Sequence, residues 1–118
     1  MNLSHAVAAE YDREYDPRHL VPDVQRYLQW YAEQSAAAQR ELPCRLDLRF
    51  GPDQDELLDV FPAPAPGSPI VVFIHGGYWQ MSSSKEFRFV ARGLAAHGIT
   101  VVLTNYSLCP KVTIADIT

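Results

Sequence analysis

The stretch VVFIHGGYWQM, Val71 to Met81, decides how this chain is read. Ile70 to Ile74 is an unbroken apolar run, rich in β-branched residues, and it enters His75-Gly76-Gly77-Tyr78-Trp79 without a break. A continuous run of that kind predicts a strand covered on both faces, as in a parallel sheet. Ile99 to Thr104, ITVVLT, has the same character. A helix is expected between the two. Ser83 and Glu86 form a capping-box pattern, and Phe87, Val90, Ala91 and Leu94 make one apolar stripe. Gly98 stands where a C-terminal cap belongs. Strand, helix and strand at this spacing predict a right-handed βαβ unit.

Outward from that unit, CRLDLRF (44–50) alternates strictly, with Leu46, Leu48 and Phe50 on one side and Arg45, Asp47 and Arg49 on the other. That is the pattern of a strand with one wet face. GPDQDE reads as a turn and LLDVF as a second strand, most simply antiparallel to the first. The proline-rich loop PAPAPGSP, Pro62 to Pro69, cannot join a sheet. Upstream, Pro22 suits the first turn of a helix that runs to about Arg40, with Val24, Tyr27, Leu28 and Tyr31 as its stripe. Trp30, off that stripe, reads as a structural aromatic. Residues 1 to about 20 read as an irregular arm or short helix. The expected organisation is therefore an N-terminal helical arm (1–42) and the start of a central α/β sheet (43–118), both parts of one domain.

Composition narrows the function. The 118 residues are 47% hydrophobic and 20% charged, with a net charge of -4. A mildly acidic chain without a basic cluster points away from nucleic acid. No apolar run approaches a membrane span. The N-terminus lacks the basic start and apolar core of a signal peptide, so the cytoplasm is the expected compartment. Two cysteines, Cys44 and Cys109, read as reduced thiols. His5, His19, His75 and His97 show no metal-ligand spacing, so a metal site is not expected.

Function in open α/β sheets collects at the carboxyl ends of the strands, where His75, Gly76 and Gly77 fall. Glycine there lets backbone N–H groups approach a ligand. N–H groups converging on one point form an oxyanion hole, each donor being worth roughly 3–4 kcal/mol in the transition state. A tight strand-to-helix turn is the plainer reading of a Gly-Gly pair. A phosphate loop would need G-x-G-x-x-G or GxxxxGK[ST], and neither occurs.

HGGYW resembles the HGGxW oxyanion loop of the arylformamidases (kynurenine formamidases) in the α/β-hydrolase superfamily. NYSLCP, Asn105 to Pro110, resembles the Asn-Tyr-x-Leu-x-Pro stretch that these enzymes carry after the next strand, and YDPRHLVPD, Tyr15 to Asp23, is a weaker echo of their N-terminus. The resemblance implies that Gly77 and Tyr78 present N–H groups to the oxyanion, with Gly76 allowing the turn. It implies that His75 holds the loop rather than acting as the catalytic histidine. Trp79 would pack beneath the loop or border the pocket, and Tyr106 would buttress it. The resemblance implies hydrolysis of a small aryl formamide of the N-formylkynurenine type through a serine acyl-enzyme, with no cofactor, and a carboxylesterase is the alternative.

The superfamily's Ser elbow, G-x-S-x-G, is absent from these 118 residues, as are an assignable acid and catalytic histidine. The expectation is thus the N-terminal portion of a hydrolase domain, completed by the remainder of that domain or by a second polypeptide. Alone, the chain is expected to be poorly soluble or partner-dependent, with a sheet edge left open at Val101 to Leu103. A non-catalytic fragment or interaction subunit is the reading from another class, and a homo-oligomer is left open.

Overall fold

The computed structural model describes residues 5–118. It divides into two units, Met1–Trp30 and Tyr31–Thr118. In the first, helix α1 spans His5–Tyr15 and is followed by a single 3-10 turn, Pro17–His19. Asp16 caps that turn. It accepts from the Arg18 N–H at 3.0 Å and from the Arg18 guanidinium at 2.8 and 2.6 Å. Arg18 holds the Asp16 carboxyl down at about 2.

Helix α2 spans Val24–Glu41. Pro22 lies before it rather than in its first turn. The chain enters through Asp23, which has φ 55 and whose carbonyl accepts from the Arg26 N–H. The proposed stripe is only partly buried. Tyr27 and Leu28 are 56% and 50% exposed, and the covered face starts at Tyr31 and continues through Ser35 and Ala38. Periodicity gives a helix its face but not the length over which a neighbour covers it. Trp30 is about half exposed.

Strands β1 (Arg45–Arg49), β2 (Leu57–Phe61), β3 (Ile70–Ile74) and β4 (Thr100–Thr104) form one sheet in the order β1-β2-β4-β3. β1 and β2 are antiparallel, β2 and β4 antiparallel, and β3 and β4 parallel. The βαβ unit and the antiparallel start are as the sequence predicts. The open edge is not. The crossover returns β4 between β2 and β3, so Val101 and Leu103 are fully buried and the edges of the sheet are β1 and β3. Continuous hydrophobicity reports burial but not position in the sheet.

Nor is β3 covered on both faces. Phe73 packs against the core of Phe61, Ala91, Val101 and Leu103, whereas Ile70, Val72 and Ile74 are 66%, 58% and 67% exposed. Helix α3 (Val90–Ala95) and the 3-10 turn Ser84–Phe87 supply the covered face. The expected single helix is split in two at Arg88–Phe89. The Ser83 N–H still reaches Glu86 Oε2, at 3.4 Å, and Gly98 has φ +71 as an αL cap requires. A short helix α4, Ile114–Ile117, begins at Thr113, whose hydroxyl is bonded by Asp116.

The strict alternation in β1 also breaks. Its pairing with β2 slips by one residue between Arg45 and Leu48, and Asp47 has φ 54. This bulge puts Leu46 against the core while Leu48 pairs with Leu58 on the opposite face. The cause lies across the sheet. Asp59, 2% exposed in the middle of β2, accepts from the Asp47 N–H at 2.8 Å and from Arg88 Nε at 2.7 Å. A buried carboxylate needs such partners.

Candidate active site

β3 and β4 run parallel, so His75 and Tyr106 emerge side by side just past their carboxyl ends. His75 is 2% exposed. Its ring stacks on Tyr106, with centroids 4.2 Å apart and planes 4° from parallel. His75 Nδ1 lies 2.9 Å from the Gly76 carbonyl oxygen, a contact that requires an Nδ1–H. The Tyr106 hydroxyl donates to the His75 carbonyl at 2.7 Å, and burial pushes its pKa up. Nδ1 is thus committed to the loop itself, while Nε2 is buried with no hydrogen-bond partner among the described residues.

Beyond His75 the backbone turns sharply. Gly77 has φ 134, and a Cβ placed there would collide with the Met81 carbonyl oxygen, so only glycine fits. The Gly77 carbonyl accepts from Gln80 N–H and Met81 N–H, both at 3.0 Å. Tyr78 and Trp79 follow with φ 53 and 57, two consecutive non-glycine residues in the left-handed region. Each costs of order 1–3 kcal/mol and persists only where its surroundings enforce it. One such restraint is the Cys109 N–H, which donates to the Trp79 carbonyl at 2.7 Å. Among the described residues, no hydrogen bond uses the N–H of Gly76, Gly77 or Tyr78.

These residues line an open cleft of about 780 Å³, together with Phe50, Ile74, Thr104, Asn105 and Ile117. Tyr78 is 65% exposed and Trp79 45%, so Trp79 borders the cleft. All six residues singled out in the sequence, His75, Gly76, Gly77, Tyr78, Trp79 and Tyr106, meet at this one place. Ser83 and Ser84 lie at the start of the 3-10 turn, outside the cleft. Among the described residues no group of three or more His, Cys, Asp or Glu could hold a metal ion. No helix among them is long and apolar enough to cross a membrane.

Sequence reading missed a polar cluster behind the cleft. The GPDQDE turn carries Asp53 and Asp55, which accept the Ser107 hydroxyl at 2.8 and 2.9 Å. Lys111 Nζ lies 2.8 Å from Asp55 and 3.5 Å from Asp53. The available signal was an Asp-x-Asp turn, but its partner lies more than fifty residues downstream. Both carboxyls sit below their ordinary value of 3.8. For Asp53 the main cause is the Asp55 N–H, then Ser107; for Asp55 it is Lys111, then Ser107. Lys111 is raised, chiefly by Asp55.

Depressed carboxyls contribute stability above 3.8 that is lost as pH falls through their lower folded values. The raised ammonium contributes below 10.5 and is lost only as pH rises through its higher folded value. The resonances of Ser107, which touches all three groups, should therefore hold steady in an NMR titration from neutral pH down to about 5, and change only below the usual carboxylate range. A change between pH 5 and 7 would contradict the ionised cluster.

With this geometry in place, known proteins supply a comparison. Kynurenine formamidase of Danio rerio is 40% identical over 68 residues, which cover 56% of this chain and 23% of that protein. The Salmo salar kynurenine formamidase is 39% identical over 69 residues, with the same coverage. A crystal structure of a candidate thioesterase from Silicibacter sp. TM1040 superposes with a TM-score of 0.79 at 28% identity, over 87% of this chain and 40% of that one. Esterase B from Lactobacillus rhamnosis, at 22% identity and a TM-score of 0.57, shares the fold over 80% of this chain and 33% of its own. The chain carries part of an α/β-hydrolase fold, and its matched stretch is similar to the kynurenine formamidases. No family model matches it. This α/β-hydrolase segment spans about a quarter of the length of the formamidases it matches.

Proposed function

We propose that this segment is the oxyanion-loop part of a serine hydrolase that cleaves an aryl formamide of the N-formylkynurenine type. The observation that carries the reading is the pair of unengaged N–H groups, Gly77 and Tyr78, on a glycine-dependent turn at the carboxyl end of β3 and beside an open cleft. In this reading a serine oxygen from the remainder of the domain attacks the formyl carbon, and a histidine there takes its proton. The Gly77 and Tyr78 N–H groups bear the developing oxyanion. The amine leaves with that proton, and water then releases formate from the formyl-serine.

Tyr78 and Trp79 offer an aromatic wall suited to an aryl substrate. The nucleophile, acid and histidine come from the remainder of the domain, as continuing chain or as a second polypeptide, and the setting is cytoplasmic. A carboxylesterase is the second reading, favoured by the esterases that share the fold.

Intact mass of the purified protein, followed by turnover of p-nitrophenyl acetate and of formanilide, tests the proposal. A preparation that contains a G-x-S-x-G segment and prefers the formamide supports it. Preference for the ester transfers the assignment to the carboxylesterase. A preparation with that segment but no turnover of either substrate overturns it.

A further inference from the structure

The segment after β4 touches the oxyanion loop twice, through the Tyr106 hydroxyl on the His75 carbonyl and the Cys109 N–H on the Trp79 carbonyl. Something must fix that segment, and the contacts flanking Tyr106 do so. On one side, the Asn105 N–H donates to the Leu57 carbonyl at 2.8 Å, and its amide bridges the Asp55 carbonyl and the Ser84 N–H, both at 3.2 Å. On the other, Ser107 is 9% exposed, with its hydroxyl between Asp53 and Asp55 and 3.3 Å from Lys111 Nζ.

One hydroxyl proton serves one carboxylate at a time, and the lysine ammonium bonds the other. Tyr106 therefore sits between two anchors on the acidic turn, and its ring and hydroxyl set where His75 lies. We propose that Ser107, clamped by Asp53, Asp55 and Lys111, is a positioning residue for the oxyanion loop: it fixes Tyr106, and Tyr106 aims the backbone that follows His75.

The proposal rests on the hydrolase reading for its purpose but not for its geometry, so its test has two readouts. The first is amide NMR of the full chain. Ser107→Ala should shift and broaden the Gly76, Gly77 and Tyr78 amides while leaving Val101 and Leu103 in place, and Ser107→Thr should restore them. If Ser107→Ala does not fold, Asp55→Asn serves, with the same signature expected. Unmoved loop amides would overturn the latch, and so would a disturbance spread equally to Val101 and Leu103.

The second readout is kinetic, in the preparation that holds the nucleophile. Ser107→Ala should lower kcat by roughly tenfold to a hundredfold with KM nearly unchanged, since a loop misplaced by a fraction of an ångström loses transition-state contacts. Rescue by Ser107→Thr is again expected. Loop amides that move in a protein with no turnover would sink the hydrolase reading and leave the latch standing. Turnover that Gly77→Ala abolishes but Ser107→Ala leaves untouched would do the reverse.

Discussion

Gly77→Ala is expected to lower kcat by about 10²–10³-fold in the proposed hydrolase, with KM moved far less. Two independent constraints meet at this position. With φ 134, a residue bearing a Cβ lies outside its allowed regions. The added methyl would also occupy the space of the Met81 carbonyl oxygen, which is backbone and cannot swing aside. The turn must therefore open, and the Gly77 and Tyr78 N–H groups then diverge. Under the proposed function the loss equals that of at least one oxyanion donor, about 3–4 kcal/mol of transition-state stabilisation. Gly76→Ala is the control. Nothing lies within 4 Å of a Cβ there, and its φ is not positive, so the effect should be much smaller. Steady-state kinetics of the two variants side by side decide the matter. Equal losses would show that general loop disturbance, not the N–H pair, sets the rate.

The largest effect on stability should come from Asp59. Replacing it with alanine removes the carboxylate from a guanidinium 2.7 Å away and strips the Asp47 N–H of its acceptor. Asp59 is 2% exposed and Arg88 8%, so the cation is left buried with only Gln39, at 3.1 Å, as a hydrogen-bond partner among the described residues. Breaking one side of a buried pair costs about 3–5 kcal/mol, much of it the uncompensated charge. Urea unfolding should show this as a lower midpoint. Asp59→Leu combined with Arg88→Met should recover most of the loss, because apolar groups of similar size replace both charges together. Failure of the double variant to recover would assign the cost to the β1 bulge rather than to the charge.

How much of this was legible beforehand follows from range. The HGGYW loop, the capping box before the 3-10 turn and the αL glycine at Gly98 are written in neighbouring residues, and each stands where the sequence puts it. The bulge in β1 was not legible. Arg45 to Phe50 alternates perfectly, and the slip is imposed by Asp59, twelve residues on, and by Arg88, on a different element. The placement of β4 inside the sheet likewise depends on which strand pairs with which, and hydrophobic runs do not state that. The candidate site was legible in its loop and not in its support. Asp53, Asp55, Ser107 and Lys111 look like ordinary turn and surface residues until the chain brings them together.

Tyr78 and Trp79 bear on what natural variation can do at this loop. Asparagine or glycine at either position would accept the left-handed backbone more readily, so the path toward a more stable protein runs directly through the aromatic wall of the cleft. Stability and a large flat side chain are in competition at two adjacent codons. Selection for robustness alone would erode the pair, and its retention in a lineage would mark a period during which the cleft was under use.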